Sequence, residues 1–193
     1  MSLKAFLRSV VEILDEAEVP YMLTGSLASA YYAVPRATQD LDVVIEAEAP
    51  ELDRIVQGLG DAGLYVDRDA AMEAQALHGQ FNAIDPVSGW KVDLIVRKDR
   101  EYSRVEFARR EQVRLLDVEV AIASLEDVLI AKLEWSQLGD SALQRSDVLQ
   151  LLERRWEEVD RPYVEKWVAE LGLGDVWEGI RDEVSRYRGG GAG

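Results

Sequence analysis

Leu3, Phe6, Leu7, Val10, Val11 and Leu14 recur at the i, i+3, i+4, i+7 spacing of one helical face, predicting an amphipathic helix over residues 2–17. Pro20 ends it. "YMLTG" then reads as a short buried strand, and "SLASAYYAV" as a helix whose first position is Ser26, a good N-capping residue, and which Pro35 stops. "DLDVVIEA" has the β-branched density of a strand, "PELDRIVQGLGDAG" is a helix closed by glycine, and "LYV" is a short strand.

Two strand-like runs follow, "GQFNAIDP" and "GWKVDLIVR", separated by "VSG" and so predicted to pair as an antiparallel hairpin. "REYSRVEFARRE" reads as helix and "QVRLLDVEVAIA" as a further strand or as two, the latter forming a hairpin around Asp117. After Ser124 the pattern becomes helical throughout, over 125–135, 142–156, 161–171 and 175–187, punctuated by Gly139, Pro162, Gly172 and Gly174. The expectation is an α+β fold. It divides into a mixed β-sheet core with flanking helices over residues 1–123, a helical C-terminal region over 124–188 and a flexible tail over 189–193.

With 48% hydrophobic and 31% charged residues intermixed over 193 positions, the chain is globular, with one sizeable core or two small ones. Its net charge of −15 repels a phosphodiester backbone and argues against general DNA coating. Cysteine is absent and His78 is the lone histidine, which excludes disulfides, thiolate sites and His-rich zinc chemistry. Any bound metal would be held by oxygens. Lys4, Arg8, Glu12 and Asp15 interrupt the N-terminal helix, so it does not read as a signal peptide. No apolar run approaches the ~18 residues of a membrane span, and the expected location is the cytoplasm.

Residues two apart on a strand share a face, so Asp40 and Asp42 project together from "DLDVVIEA". Asp93, in "KVDLIV", is a third carboxylate in the same kind of setting. Like charges this close are costly unless neutralised, and a divalent cation with oxygen ligands does so. Three such acids suit a two-metal cradle. The bland alternative has Asp40 capping its strand, Asp42 paired with Arg36, and Asp93 at a sheet edge. Gly25-Ser26 heads a helix, where close backbone approach and free N–H groups suit a phosphate. An ordinary strand-to-helix turn is the alternative there. Arg36 and Thr38, just upstream of Asp40, are candidates to reach triphosphate oxygens.

Gly-Ser at a helix start, then Asp-x-Asp on a strand and a later strand Asp, together resemble the DNA polymerase β-type nucleotidyltransferase superfamily. "RATQDLDVVI" is similar to the branch of abortive-infection toxin-like and related uncharacterised nucleotidyltransferases. That branch also carries a later lysine followed by an Arg-x-Asp or Arg-x-x-Asp segment, matched here by Lys132 and by Arg145-Ser146-Asp147. Lys132 lies on the apolar stripe of its helix, i+7 from Leu125 and i+3 from Leu129, where a structural ion pair with Asp147 competes with nucleotide contact.

The resemblance implies in-line attack by an acceptor on the α-phosphate of a nucleoside triphosphate such as ATP, with pyrophosphate leaving. Asp40 and Asp42 would hold Mg²⁺, Asp93 would complete a second metal site or take the acceptor's proton, and Asp40, Asp42 and Asp93 are thus the implied catalytic and metal residues. Gly25, Ser26, Arg36, Thr38, Lys132, Arg145 and Asp147 are the implied nucleotide-binding set. The acceptor stays open among RNA, protein and a small molecule such as an antibiotic, and a cognate antitoxin or a second copy of the chain is an implied partner. The competing expectation is an inactive nucleotide-binding or partner-binding scaffold. A carboxylate-metal phosphohydrolase or nuclease explains the acids but not Gly25-Ser26.

Overall fold

The computed structural model describes residues 1–33, 38–139 and 142–190. Ser2 caps the first helix, α1 (Leu3–Glu16), by accepting from the Ala5 N–H, and Phe6, Leu7, Val10, Val11 and Leu14 are buried along one side as their spacing demands. Next come β1 (Tyr21–Thr24), α2 (Gly25–Tyr32), β2 (Asp40–Ile45), α3 (Ala49–Asp61) and β3 (Tyr65–Val66). The predicted stop of α2 at Pro35 lies outside the described residues.

The sequence pattern did not predict α4 (Arg68–Leu77). Its buried side chains are only Ala71 and Ala74, so it lacks the large apolar residues that make a helical stripe visible. Asp67 caps it, accepting from the N–H groups of Asp69 and Ala70.

β4 (Gln80–Ile84) and β5 (Lys91–Val96) form the expected antiparallel hairpin. In its connection Asp85 accepts hydrogen bonds from the Val87 N–H and the Ser88 hydroxyl, while Gly89 supplies a φ of +76°. α5 (Glu101–Ala108) leads to β6 (Glu111–Leu115) and β7 (Val118–Ile122), which turn through Leu116 and Asp117, both with positive φ. That is the backbone a tight hairpin needs.

Among the described residues, all seven strands join one mixed sheet in the order β3-β4-β5-β2-β1-β7-β6, with β2–β5 and β1–β7 parallel and the other pairs antiparallel. Along β2 and β5 every second residue is buried: Leu41, Val43 and Ile45 on one, Val92, Leu94 and Val96 on the other. The intervening positions turn to the opposite face of the sheet.

The chain forms two compact units, one taking Met1–Ala28 and the chain from β2 to Ala123, the other taking the chain from Ser124 together with a stretch that begins at Ser29. The second unit is helical, with α6 (Leu125–Gly139), α7 (Ala142–Arg155), α8 (Arg161–Glu170) and α9 (Gly174–Gly190). Ser124 and Tyr163 both donate to the fully buried Asp127, at 2.6 and 2.7 Å, satisfying the carboxylate at the start of α6. Trp167 and Trp177 are buried, whereas Trp135 is 56% exposed. It belongs to the last turn of α6, where Gln137, Leu138 and Gly139 are exposed too and periodicity no longer reports packing. Among the described residues no helix is long and apolar enough to cross a membrane.

Candidate functional site

Strand register assembles a row of polar side chains in the first unit. Asp42 of β2 lies opposite Asp93 of β5, Thr24 of β1 lies opposite Asp42, and Asn82 of β4 lies opposite Asp93. Directly opposed residues share a sheet face, so Thr24, Asp42, Asp93 and Asn82 run side by side across four strands. Asp40 and Lys91 form the next rung on the same face. Asp93 is therefore in the sheet interior, between β4 and β2, and not at an edge. Pairing of Asp42 with Arg36 falls outside the described residues.

The turn from β1 into α2 closes directly on Asp42. Gly25 has a φ of +63°, and a Cβ placed there would lie 2.0 Å from Asp42 Oδ2, so glycine is required both by conformation and by space. The Ser26 N–H points to Asp42 Oδ2 at 3.4 Å. A helix start, with its N-terminal N–H groups and positive dipole end, thus adjoins a strand carboxylate. Thr38 braces the entry to β2: its hydroxyl accepts from the Asp40 N–H at 3.2 Å and donates to the Asp40 carbonyl at 3.1 Å.

Lys91, to which the sequence reading assigned no role, bridges two of the acids. Its Nζ is 2.8 Å from Asp93 Oδ2 and 3.5 Å from Asp40 Oδ1. The hydrogen bond to Asp93 leads in holding the Lys91 ammonium above the ordinary lysine value, reinforced by the charges of Asp93 and Asp40 and opposed by partial burial. Lys91 lies two residues before Asp93, and that i, i+2 spacing was the available signal. Only the β2–β5 register discloses the contact with Asp40. As the side chains stand, no three acidic or histidine groups among the described residues converge as metal ligands.

At the other ends of the same strands, Arg97 pairs with Glu46 at 2.5 Å and its carbonyl bonds His78 Nδ1 at 2.7 Å. His78 is an exposed left-handed cap on α4 and stands apart from the acids along the strands, in keeping with a turn role. Trp90 stacks on Phe6 and donates to the Met1 carbonyl, so it packs.

The remaining predicted residues belong to the second unit. Lys132 and Asp147, both almost wholly buried, form an ion pair of 2.6 Å, and Lys132 also donates to Gln144 at 3.1 Å. Arg145 donates to Glu183 at 2.8 Å and to the Gly179 carbonyl at 3.2 Å. The Arg-x-Asp segment thereby ties α7 to α6 through Asp147 and to α9 through Arg145.

The fold is similar to that of solved antibiotic-modifying enzymes along most of the chain. A solution structure of the antibiotic-resistance factor ANT(2'')-Ia has a TM-score of 0.58 at 14% identity, covering 96% of each chain. A crystal structure of the same factor with adenylyl-2''-tobramycin gives 0.55 at 13% identity over 95% of this chain and 99% of that one. The lincosamide antibiotic adenylyltransferase LnuA, bound to lincomycin, gives 0.55 at 12% identity, covering 78% of this chain and 96% of its own. No protein-family model and no curated protein sequence matches the chain.

Proposed function

We propose that the protein is a nucleotidyltransferase that moves a nucleoside monophosphate from a nucleoside triphosphate to a small-molecule acceptor. The observation that carries this reading is the closure of Gly25-Ser26 on Asp42, beside Asp93 in register. A phosphate-receptive helix start and a pair of strand carboxylates then face one substrate, an arrangement that a phosphohydrolase does not require. Adenylyltransferases of antibiotics among the matching structures support the small-molecule acceptor.

The donor set suits Mg²⁺, because Asp40, Asp42 and Asp93 offer only oxygens, on neighbouring strands of one face, and an ammonium already sits between two of them. Bound there, Mg²⁺ would neutralise triphosphate charge and orient the α-phosphate. Ser26 and the start of α2 would hold the terminal phosphates, with Gly25 giving the backbone room to approach. Asp93, the least solvent-exposed of the Lys91 partners, would accept the proton of the attacking hydroxyl. Thr38 would keep Asp40 at its strand end. Lys132, Arg145 and Asp147 enter as the nucleotide-side set that the family resemblance implies, with Arg36 upstream.

The test is transfer of label from an α-labelled triphosphate to acceptor, assayed with aminoglycosides, lincosamides, RNA and whole-cell extract. Label should appear in a small molecule, and Asp42→Asn should lower the rate at least about a hundredfold, as loss of a main electrostatic group does. Triphosphate binding with no transfer to any acceptor would favour the scaffold reading instead. Release of free phosphate without transfer would point to a hydrolase.

A further inference from the structure

We propose that Lys91 is a positioning residue that holds Asp40 and Asp93 in the metal-free protein and gives way to the divalent cation, which enters by exchange with its ammonium. This rests on the nucleotidyltransferase reading above. The β2–β5 register places Lys91 opposite Asp40, and the strand repeat places it on the same face as Asp93, so one flexible side chain spans both acids at 3.5 and 2.8 Å. Asp93 is only 15% exposed, and a carboxylate that covered needs a counter-charge before any metal arrives.

Lysine suits a removable counter-charge. Its ammonium is a compact point charge on a four-carbon stem, whereas an arginine fork would lock both carboxylates. The Lys91 side chain is itself 31% exposed, which leaves a route to water without backbone movement. Asp42 stands beside Asp93, and Thr24 and Asn82 extend the row without adding charge. A divalent cation arriving at Asp40 and Asp93 competes with the ammonium that already partners both of them. Bare metal therefore displaces the ammonium by itself, but binds more weakly than it would without that competitor.

The experiment titrates Mn²⁺ into the full-length, nucleotide-free protein by water-proton relaxation, comparing wild type with Lys91→Met and Lys91→Arg. Alongside it, acylation of the Lys91 amine is followed by mass spectrometry with and without saturating Mg²⁺. Lys91→Met should bind Mn²⁺ roughly fivefold tighter, the factor a partly exposed ion pair is worth, while Lys91→Arg should not gain affinity. Acylation of Lys91 should rise severalfold when Mg²⁺ binds. A lysine that merely supports the strand would show no such increase. Equal Mn²⁺ affinity in wild type and Lys91→Met, or Lys91 acylation unchanged at Mg²⁺ saturation, overturns the exchange and leaves the transferase reading standing if label transfer persists. Mn²⁺ binding to neither form overturns both this role and the cation assignment beneath it.

Discussion

An alanine methyl at position 25 would meet Asp42 Oδ2 at 2.0 Å and would also have to accept a φ of +63°. The left-handed backbone alone costs an L-residue about 1–2 kcal/mol. The contact adds a displacement of the carboxylate. Gly25→Ala should lower the melting temperature and abolish label transfer together. Gly63, also at positive φ but with open space around its Cβ position, supplies the control. Gly63→Ala should show the backbone cost in a melting curve and keep its transfer rate.

Among the elements, α6 and α7 are joined by the Lys132–Asp147 pair, buried to 3% and 6% exposure. Removing one member leaves the other as an uncompensated buried charge, a loss of about 3–5 kcal/mol, while an apolar pair of similar volume is tolerated. Lys132→Met should therefore be strongly destabilised in urea unfolding, and Lys132→Met with Asp147→Leu should recover most of that. If the double variant also keeps wild-type transfer, Lys132 is structural and has no nucleotide to hold.

The β4–β5 connection carries a pH dependence of its own. The Ser88 hydroxyl first, then the Val87 N–H, hold the Asp85 carboxyl below the ordinary aspartate value. Because the folded value is the lower one, this contribution is complete above the unfolded carboxylate pKa of about 3.9 and disappears as pH falls through the folded value. Urea midpoints followed into acid should fall less steeply in Asp85→Asn than in wild type.

What was legible at this scale followed from residue contrast. The alternation of β2, the apolar stripe of α1 and the αβαβαβ opening were visible because large apolar residues mark the buried side. The Ala-rich α4 offered no such mark, and Trp135 kept helical spacing beyond the packed part of α6. The three acids were visible as types on strands, but their alignment was not. Which residue lies beside Asp42 or Asp40 depends on strand register, set by contacts distant in sequence, and so Lys91 and Asn82 stayed hidden.

For the whole molecule, the net charge of −15 acts at long range on whatever the protein accepts as substrate. A cationic acceptor should be drawn in and a polyanion repelled. Raising salt until the Debye length shrinks from about 10 Å to about 3 Å should raise KM for a polyamine-like acceptor and leave kcat nearly unchanged. An insensitive KM would show that the acceptor is recognised without help from the overall field.

The polar row across β1, β2, β5 and β4 also ties assembly of the site to correctness of the sheet. If β5 slid by one residue against β2, Asp93 would turn into the apolar layer while Val92 or Leu94 came to face Asp42. Such a misfolded sheet would bury a charge and lose its chemistry in the same slip. The acids thus serve as a registration mark for the fold, and a chain that has placed them has already passed its own inspection.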